Sequence, residues 1–379
     1  MTKRFCSQVV LIVYRCAAVT RRRQEPAGPR ADPPWRPAGR PTIRDLAAVT
    51  GVSVTTVSHA LNGKGRVDPE TRKRVVDAAA RLGYRASRTA QRLRSGKHGT
   101  IALVLPTVER DVADDEIVLL DYYMRIAASA ARSAFAADYP LMLTPPIRTA
   151  DDVRDLAVDG AVVVDPGRID QRVALLEEAG ILCVTVERDP ARPDRRWVVR
   201  ADNEGNTRRL LDHLRDAGAL RIALLGSTAD WAWADETAMT YLRWCADEER
   251  VPLIRYASMR AQERSAYAES KELLEQARPD AVVALAERYS GGVLRAAREC
   301  GRRVPDDLLV AIASDSLHAR EADPPVTAID LRPDLQGSAA VEMLVARLAG
   351  EAPEAPMITP SELHVRASTL RPGAQPPAG

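Results

Sequence analysis

Short apolar runs alternate with amphipathic stretches along the last three quarters of the chain. The apolar runs lie at 101–105, 161–164, 181–186, 221–225, 281–285 and 308–312. Runs of this length without internal alternation are typical of parallel strands buried on both faces. Stretches with helical periodicity lie between them, at 117–136, 203–217, 235–249, 263–277 and 290–300. Repeated strand–helix units predict an α/β body with doubly wound parallel sheets, and their number predicts two such lobes.

Residues 42 to 62 carry a second pattern, that of two short helices joined by a tight turn. Their apolar residues recur at helical spacing and predict one small core, made of Ile43, Leu46, Ala47, Val52, Val57 and Leu61. Thr42 and Asp45 have capping-box spacing, Gly51 ends the first helix, and Ser53 is a favourable N-cap for the second. This order predicts a helix-turn-helix motif, in which the second helix presents its first turn to DNA bases. The residues predicted to point outward at DNA are Val54, Thr55, Ser58 and His59.

A third helix follows the motif and completes an all-α headpiece. Asp68 can cap this helix, Pro69 suits its first position, and Gly83 ends it. Its predicted buried stripe consists of Val75, Val76, Ala79 and Leu82.

Charge is unevenly distributed along the 379 residues. Residues 1 to 100 hold 21 basic and 6 acidic side chains, whereas the remaining 279 residues hold 33 basic and 46 acidic ones. A basic N-terminal part followed by an acidic body is expected of a protein that binds nucleic-acid phosphates through its N-terminal part only. A basic arm can also be merely solvated, but here the charge coincides with the predicted groove-reading motif.

The headpiece resembles that of the LacI family of bacterial transcription regulators. The matching residues, in order, are Thr42-Ile43, Asp45-Leu46-Ala47, Gly51-Val52-Ser53, Thr56-Val57-Ser58, Leu61-Asn62, Thr71-Arg72, Leu82-Gly83-Tyr84, Ala90 and Leu93. The resemblance implies a homodimer that binds near-palindromic, double-stranded operator DNA in a sequence-specific way. It implies a repressor more than an activator.

By the same resemblance, two groups of headpiece residues contact DNA. Base preference depends on Val54 and Thr55, with His59 where the family often has Arg. The residues that match phosphate-holding positions are Thr42, Ser53, Thr56, Asn62, Thr71 and Tyr84. Asp68 replaces a commonly phosphate-facing Ser, and its carboxylate would repel DNA unless it turns inward to cap the third helix.

The basic segment 86–99 resembles the hinge helix of the family, which folds on operator DNA and inserts a leucine into the minor groove. Leu93 matches that leucine, Ser87 can cap the helix, and Arg88 and Ala90 lie between them. The family usually has Pro-Asn before the hinge, whereas this chain has Ala86-Ser87, which predicts a less rigid start. The alternative is a plain solvated linker.

The body resembles the periplasmic-binding-protein-like effector domain of the same family, to about residue 370. The resemblance implies one lobe nearer DNA from 100–200 and 328–350, and a distal lobe from 201–327 and 351–370. Five segments are therefore predicted. They are a disordered basic extension at 1–40, a DNA-binding domain at 41–85, a hinge helix or linker at 86–99, a two-lobed effector-binding and dimerisation domain at 100–370, and a disordered tail at 371–379.

A small-molecule effector is expected in the crevice between the lobes, beyond the carboxyl ends of the strands. Besides the acidic loop 107–116, the loops at this crevice supply four candidate residues, Trp231, Asp235, Glu287 and Asp315. Indole beside carboxylate suits a sugar-like ligand or polyol, although Trp231 and Trp233 could equally be core residues. The pocket Arg and the Asn-Asp pair of sugar-responsive members are missing here. Their loss and the gain of carboxylates would suit a cationic or heavily hydroxylated effector.

Several other functions are disfavoured by the sequence. The five cysteines and five histidines show no metal-ligand spacing, so we predict reduced thiols in the cytoplasm, no metal and no cofactor. The apolar run 9–13 is too short for a signal peptide or a membrane span, and the Arg/Pro-rich stretch after it is either a DNA-touching arm or dispensable.

Three alternatives to an effector-controlled regulator differ in the sequence features that they require. No phosphate-binding glycine motif, nucleophile elbow or catalytic triad is apparent, so an enzyme is not expected. A solute-binding protein would need a secretion signal and no headpiece. A ligand-independent repressor with a degenerate pocket remains open.

Overall fold

The computed structural model describes residues 41–62, 65–84, 97–106, 120–351 and 355–371. The chain divides into two compact units between Ser87 and Arg88. Several predictions lie outside the described residues: the extension 1–40, the hinge residues Ser87, Arg88, Ala90 and Leu93, the loop 107–116, the side chain of Asn62, and the tail after 371.

Three helices form the headpiece unit, namely α1 Ile43–Thr50, α2 Val54–Asn62 and α3 Pro69–Leu82. Its buried core consists of Leu46, Val57, Ala60, Val75, Ala78 and Ala79. The six apolar positions predicted on the first two helices all lie in or against this core, which confirms that part of the prediction.

The buried stripe predicted on α3 is partly wrong. Val76 is 47% exposed and Leu82 is 37% exposed, whereas Ala78 is buried. Val75, Ala78 and Ala79 have the i, i+3, i+4 spacing of one helix face, and this face turns Val76 toward solvent. Leu82 is the last residue of the helix.

The body unit contains two six-stranded sheets in its described part. The strands of the first sheet are β1 Ile101–Val104, β2 Leu141–Leu143, β3 Gly160–Val164, β4 Leu182–Val186, β5 Val198–Ala201 and β11 Met357–Thr359. Those of the second are β6 Ile222–Ser227, β7 Leu253–Ala257, β8 Ala281–Ala284, β9 Leu309–Ile312, β10 Thr327–Asp330 and β12 Glu362–His364. The order is β11-β5-β4-β3-β1-β2 in the first and β12-β10-β9-β8-β6-β7 in the second. Pairing is parallel except between β10 and β12, so the two predicted doubly wound lobes are confirmed.

Nine helices cover these sheets in the described part of the body. They are α4 Asp121–Ala136, α5 Ala150–Arg154, α6 Arg172–Glu178, α7 Asn203–Asp216, α8 Ala232–Asp247, α9 Gln262–Gln276, α10 Tyr289–Glu299, α11 Leu317–Glu321 and α12 Pro333–Leu348. Helix α12 packs on β3, β4, β5 and α4, so it belongs with the first sheet. We call the first sheet with α4, α5, α6 and α12 the first lobe, and the second sheet with α7 to α11 the second lobe. None of the described helices is long and apolar enough to cross a membrane.

The chain passes between the lobes after β5, after β10 and after β11, and the last two crossings differ from the predicted lobe boundaries. The predicted first lobe began again at 328, but β10 pairs with β9 and so keeps residues up to Asp330 in the second sheet. The predicted second lobe resumed at 351, but β11 pairs with β5 in the first sheet. Both boundaries are wrong because strand pairing, which the sequence pattern does not reveal, decides where each segment belongs.

Candidate DNA interface and effector cavity

Helix α2 is held at its start by the side-chain cap that the sequence predicts. The backbone N–H of Thr56 donates to Ser53 Oγ at 3.0 Å, and the two hydroxyl oxygens lie 2.8 Å apart. The preceding helix ends at Gly51, whose φ of 68° is the left-handed conformation that glycine adopts most easily. Val57 and Ala60 are buried three residues apart on α2, so the opposite face of this helix is free to meet a ligand.

The exposed face of α2 carries three of the four residues predicted to point outward. Val54 is 42% exposed, and Thr55 and His59 are exposed as well. Thr55 and His59 are four residues apart and therefore share one helix face. The prediction that Ser58 points outward is wrong, because this residue is only 9% exposed and lies one turn before Leu61, which packs against the core.

The imidazole of His59 lies against the backbone of Gly65. A Cβ atom at position 65 would stand 2.7 Å from His59 Nδ1, and the φ of Gly65 is 72°. Both observations disfavour any residue with a Cβ at this position, unless the imidazole moves. The place of the imidazole on the surface therefore depends on a residue outside α2.

The residues predicted to hold phosphates differ in their surroundings. Thr42 is exposed, but its hydroxyl donates to Asp45 Oδ2 at 2.7 Å, and hydrogen bonds from Thr42 lower the pKa of Asp45. Thr71 and Tyr84 are half-buried. Asp68 Oδ2 accepts the backbone N–H of Thr71 at 3.0 Å, so this carboxylate turns inward and caps α3.

A cavity lies between the two lobes, beyond the carboxyl ends of the strands. Its empty space is about 570 Å³, counted out to its open mouth. The polar and aromatic side chains that line it include Tyr122, Tyr123, Asp165, Glu187, Trp233 and Glu287. Because the carboxyl ends of parallel strands in both sheets converge here, the segments that follow eight different strands, β3 to β10, reach one space.

Of the four residues predicted to bind an effector, only Glu287 lines this cavity. Asp235 has a 56% exposed side chain and pairs with Arg168 at 2.6 Å. The side chain of Asp315 is 1% exposed and receives two hydrogen bonds of 2.8 Å from the Arg366 guanidinium. Neither Asp235 nor Asp315 lines this cavity, because each carboxylate is engaged by an arginine outside it, and their role in effector binding stays a prediction.

The two neighbouring indoles have different surroundings. Trp231 is 5% exposed, belongs to the core and does not line this cavity, so its role in effector binding stays a prediction. Trp233 is half-buried and lines the cavity. The two ring centroids are 5.6 Å apart, and residue 231 begins the turn into α8 that carries the second indole to the cavity wall.

Glu287 joins the two lobes across the cavity. It follows β8 in the second lobe, and its carboxylate accepts the backbone N–H groups of Asp121 at 3.0 Å and Tyr122 at 2.7 Å. Both N–H groups lie in the first turn of α4, in the first lobe, where helix N–H groups lack partners within the helix and the helix dipole favours an anion.

Glu187 and Asp165 come directly after neighbouring strands of the first sheet. Glu187 accepts hydrogen bonds from the Ala201 N–H at 2.9 Å, the Asn203 amide at 2.9 Å and the Gln336 amide at 3.0 Å. Asp165 Oδ2 accepts the hydroxyl of Tyr123 at 2.6 Å. Both acids adopt positive φ, 67° for Glu187 and 43° for Asp165, which is costly for residues with a Cβ and is concentrated at functional sites.

Burial raises the pKa of all three cavity carboxyl groups. The pKa of Asp165 rises to about 7 and that of Glu287 to about 7. The pKa of Glu187 rises to about 8, because burial is reinforced by repulsion from Asp165. All three groups therefore change charge near neutral pH.

The sequence patterns missed Tyr122, Tyr123, Asp165 and Glu187. A usable signal for the two acids was present, since each directly follows an apolar run predicted to be a buried strand. The two tyrosines carried no such signal, because they lie within the first turn of an amphipathic helix. The described residues contain no group of three or more His, Cys, Asp or Glu side chains that could hold a metal ion.

Comparison with known proteins places both units in one family. Residues 42–87 match the model of bacterial regulatory proteins of the lacI family, and residues 211–369 match a periplasmic binding protein-like domain. The chain is 30% identical over 345 residues to the HTH-type transcriptional regulator CelR of Thermobifida fusca, which covers 87% of this chain and 98% of that protein. It is 27% identical over 329 residues to the HTH-type transcriptional repressor PurR of Mannheimia succiniciproducens, covering 81% of this chain and 92% of that protein.

Solved structures show the same architecture. A complex of the transcriptional regulator CelR with cellobiose superposes with a TM-score of 0.65 at 28% identity, covering 87% of this chain and all of that one. The lac repressor dimer bound to operator and the anti-inducer ONPF gives a TM-score of 0.72 at 23% identity, covering 88% of this chain and all of that one. The relatives named here are transcription regulators, and at least one of them was solved with a sugar.

Proposed function

Because the chain belongs to the LacI family of bacterial regulatory proteins, we propose that it is a homodimeric repressor that releases a near-palindromic operator when a small molecule binds between its lobes. It is a DNA-binding transcriptional regulator. We assign DNA binding to residues 41–85, the hinge to 86–99, and effector binding and dimerisation to 100–370. We propose that the protein has no catalytic role and that it acts in the cytoplasm, where its operator DNA lies.

The observation that carries this proposal is that α2 has one buried face and one exposed face. Val57 and Ala60 fix one face in the headpiece core, while Thr55 and His59 stand exposed on the other. In a helix-turn-helix protein the exposed first turn of this helix enters the major groove and reads base edges. We assign base reading to Val54, Thr55 and His59. Backbone phosphates are assigned to Thr42, Ser53, Thr56, Thr71 and Tyr84, and minor-groove insertion to Leu93.

The effector is proposed to act through the links between the lobes. Glu287 binds the start of α4, and Arg168 of the first lobe pairs with Asp235 of the second. A ligand that enters the cavity contacts both lobes and so changes their relative angle. By linkage, a ligand that favours one lobe angle shifts the population between the DNA-competent and DNA-free states.

The proposal is tested by operator selection from random duplexes, followed by fluorescence anisotropy with the full chain at low and moderate salt. We expect a near-palindromic consensus and an affinity that falls steeply as salt rises. Thr55→Ala should weaken binding to that consensus by about tenfold or more. Thr228→Ala, which changes an exposed threonine of the body, should leave binding unchanged. If the dimeric, ligand-free protein prefers no duplex over random competitor, the proposal is wrong.

A ligand-independent repressor is the second candidate. The cavity favours an effector-controlled repressor instead. Three buried carboxyl groups, two of them on residues with a left-handed backbone conformation, are a costly arrangement for a surface without a ligand.

A further inference from the structure

In the part of the chain that the structure describes, the cavity between the lobes has an acidic lining with no opposing basic one. Asp165, Glu187 and Glu287 line it, and no Lys, Arg or His is among its described lining residues. Arg172 of α6 is the described cation whose charge lowers the pKa of Asp165. Its guanidinium donates to the carbonyl oxygens of Leu105 and Asp165 and to the carboxylate of Asp170. Its donors are therefore directed at other groups, and the cavity carboxylates face an opening that none of its described lining residues supplies with a cation.

The three carboxyl groups differ in how well the protein satisfies them. Glu187 accepts three hydrogen bonds and Glu287 accepts two from the start of α4. Asp165 is 2% exposed, and its Oδ1 atom has no partner with hydrogen-bond geometry. Oδ2 accepts the Tyr123 hydroxyl, and the Trp233 side chain lies close enough to this carboxylate to lower the pKa of Asp165. A buried carboxylate oxygen without a donor is costly, so a donor is expected from the ligand.

Aromatic rings complete the surroundings of this atom. Tyr123 touches Asp165 through its hydroxyl, Tyr122 packs edge-on against Tyr123 with ring centroids 5.3 Å apart, and Trp233 forms part of the cavity wall. Aromatic faces next to carboxylates attract organic cations, because the ring quadrupole and the anion act in the same direction.

We infer that this cavity binds an organic cation, a small hydroxylated molecule whose protonated amine donates to Asp165 Oδ1 while its ring or chain lies along Trp233. This inference rests on the proposed function and names the chemical class of its effector. The raised pKa of Asp165, about 7, agrees with it, since an ammonium group would offset the burial that raises this pKa. A neutral polyol would leave the mutual repulsion of Asp165 and Glu187 in place.

The carboxyl groups come from both lobes, which favours an organic cation over a metal ion. They follow β3, β4 and β8, and the described residues offer no group of three acidic or metal-binding side chains close enough to hold a metal. A molecule several atoms long can meet these separated groups, with its ammonium at one of them and hydroxyl groups at the others.

The test is isothermal titration calorimetry of the full chain with matched pairs of molecules that differ by an amine in place of a hydroxyl. The pairs are glucosamine with glucose, galactosamine with galactose, and 4-amino-1-butanol with 1,4-butanediol. We expect at least one amine to bind about tenfold or more tightly than its hydroxyl partner. Binding should also release protons at slightly acidic pH, which appears as heat that depends on the buffer, because Asp165 loses its proton to the solvent.

Asp165→Asn is the decisive variant, because asparagine tolerates the left-handed backbone and keeps an acceptor for Tyr123. It should remove the preference for the amine. Asp138→Asn is the matched control, since Asp138 shares a positive φ of 66° but is exposed and outside the cavity. The inference is overturned if no amine binds, if every hydroxyl partner binds as tightly, or if Asp165→Asn keeps the preference.

Operator binding by the same preparations separates this inference from the proposed function. Amine binding by a chain that binds no operator would overturn the proposed function and support the inference. Operator binding without any preference for an amine would support the proposed function and overturn the inference.

Discussion

The carboxylate of Glu287 accepts the backbone N–H of Tyr122 at 2.7 Å, and this bond joins the end of a strand in the second lobe to the start of a helix in the first. Because Glu287 is 3% exposed, the bond is sheltered from water and its loss cannot be replaced easily. One of the links that hold the lobe angle in this structure is therefore an acidic side chain that also lines the cavity.

Removal of this carboxylate should loosen the first turn of α4. In Glu287→Ala, hydrogen–deuterium exchange at residues 121 and 122 should rise by about tenfold or more, since hydrogen bonds to a charged acceptor contribute about 1.5 to 3 kcal/mol. Glu287→Gln keeps one acceptor oxygen and should show a smaller rise. Glu178→Ala, at an exposed position in α6 of the first lobe, serves as the control. Equal exchange in wild type and Glu287→Ala would contradict the link between the lobes.

Stability should fall as pH rises through neutrality because of Asp165. The folded state raises the pKa of this carboxyl to about 7, so it holds the proton more tightly than the unfolded chain does. The contribution of this group is complete at acidic pH and is lost as pH rises from the usual carboxyl range toward 7. Between about pH 5.5 and about pH 7 the free energy of unfolding should decrease by about 2 kcal/mol through this group.

Calorimetry at several pH values checks this direction. Since other groups also titrate, the informative quantity is the difference between wild type and Asp165→Asn. The variant should gain stability relative to wild type as pH rises, whereas Asp138→Asn should follow the wild-type profile. A constant difference across this range would show that Asp165 does not hold a proton in the folded state.

The headpiece core should depend strongly on Leu46. This side chain is fully buried between the three helices, whereas Val49 on the same helix is 60% exposed. Leu46→Ala should destabilise the headpiece by about 2 to 5 kcal/mol, and operator affinity should fall with it. Val49→Ala should change headpiece stability by less than about 0.5 kcal/mol. Limited proteolysis distinguishes the two variants. In Leu46→Ala, cleavage should begin within residues 41–84 while the body stays intact.

Operator preference should change when His59 is altered directly or through its neighbour. His59→Ala should change which bases are selected, with each altered base contact contributing about 1 to 3 kcal/mol. Gly65→Ala should displace the same imidazole, because the new Cβ would stand 2.7 Å from Nδ1 in a backbone conformation that alanine disfavours. His318→Ala, at an exposed histidine of α11, is the matched control. The same selected consensus from wild type and His59→Ala would show that this side chain reads no base.

Local features of this protein were predictable from its sequence. The capping box of Thr42 and Asp45, the cap at Ser53 and the helix ends at Gly51 and Gly83 depend on residues within a few positions of each other, so their pattern is visible along the chain. The same holds for the longer strands and helices, since an apolar run or a helical period is a local property. The observed ends of these elements lie within two residues of the predicted ones, with two exceptions. The helix predicted from 117 begins at Asp121, and the one predicted from 235 begins at Ala232.

Only the tertiary structure determined which residues line the cavity. Asp165 and Glu187 are single acids in the sequence, 22 positions apart, and they meet only because β3 and β4 are neighbours in the sheet. The sequence predicts Asp315 at the effector cavity, but the fold places the guanidinium of Arg366, 51 positions later in the chain, against its carboxylate. Sequence alone determined that a basic headpiece with a helix-turn-helix precedes two α/β lobes, because caps and periodicity act over a few residues. Which carboxylates face a ligand depends on strand order and distant ion pairs, which act through space and leave no local pattern.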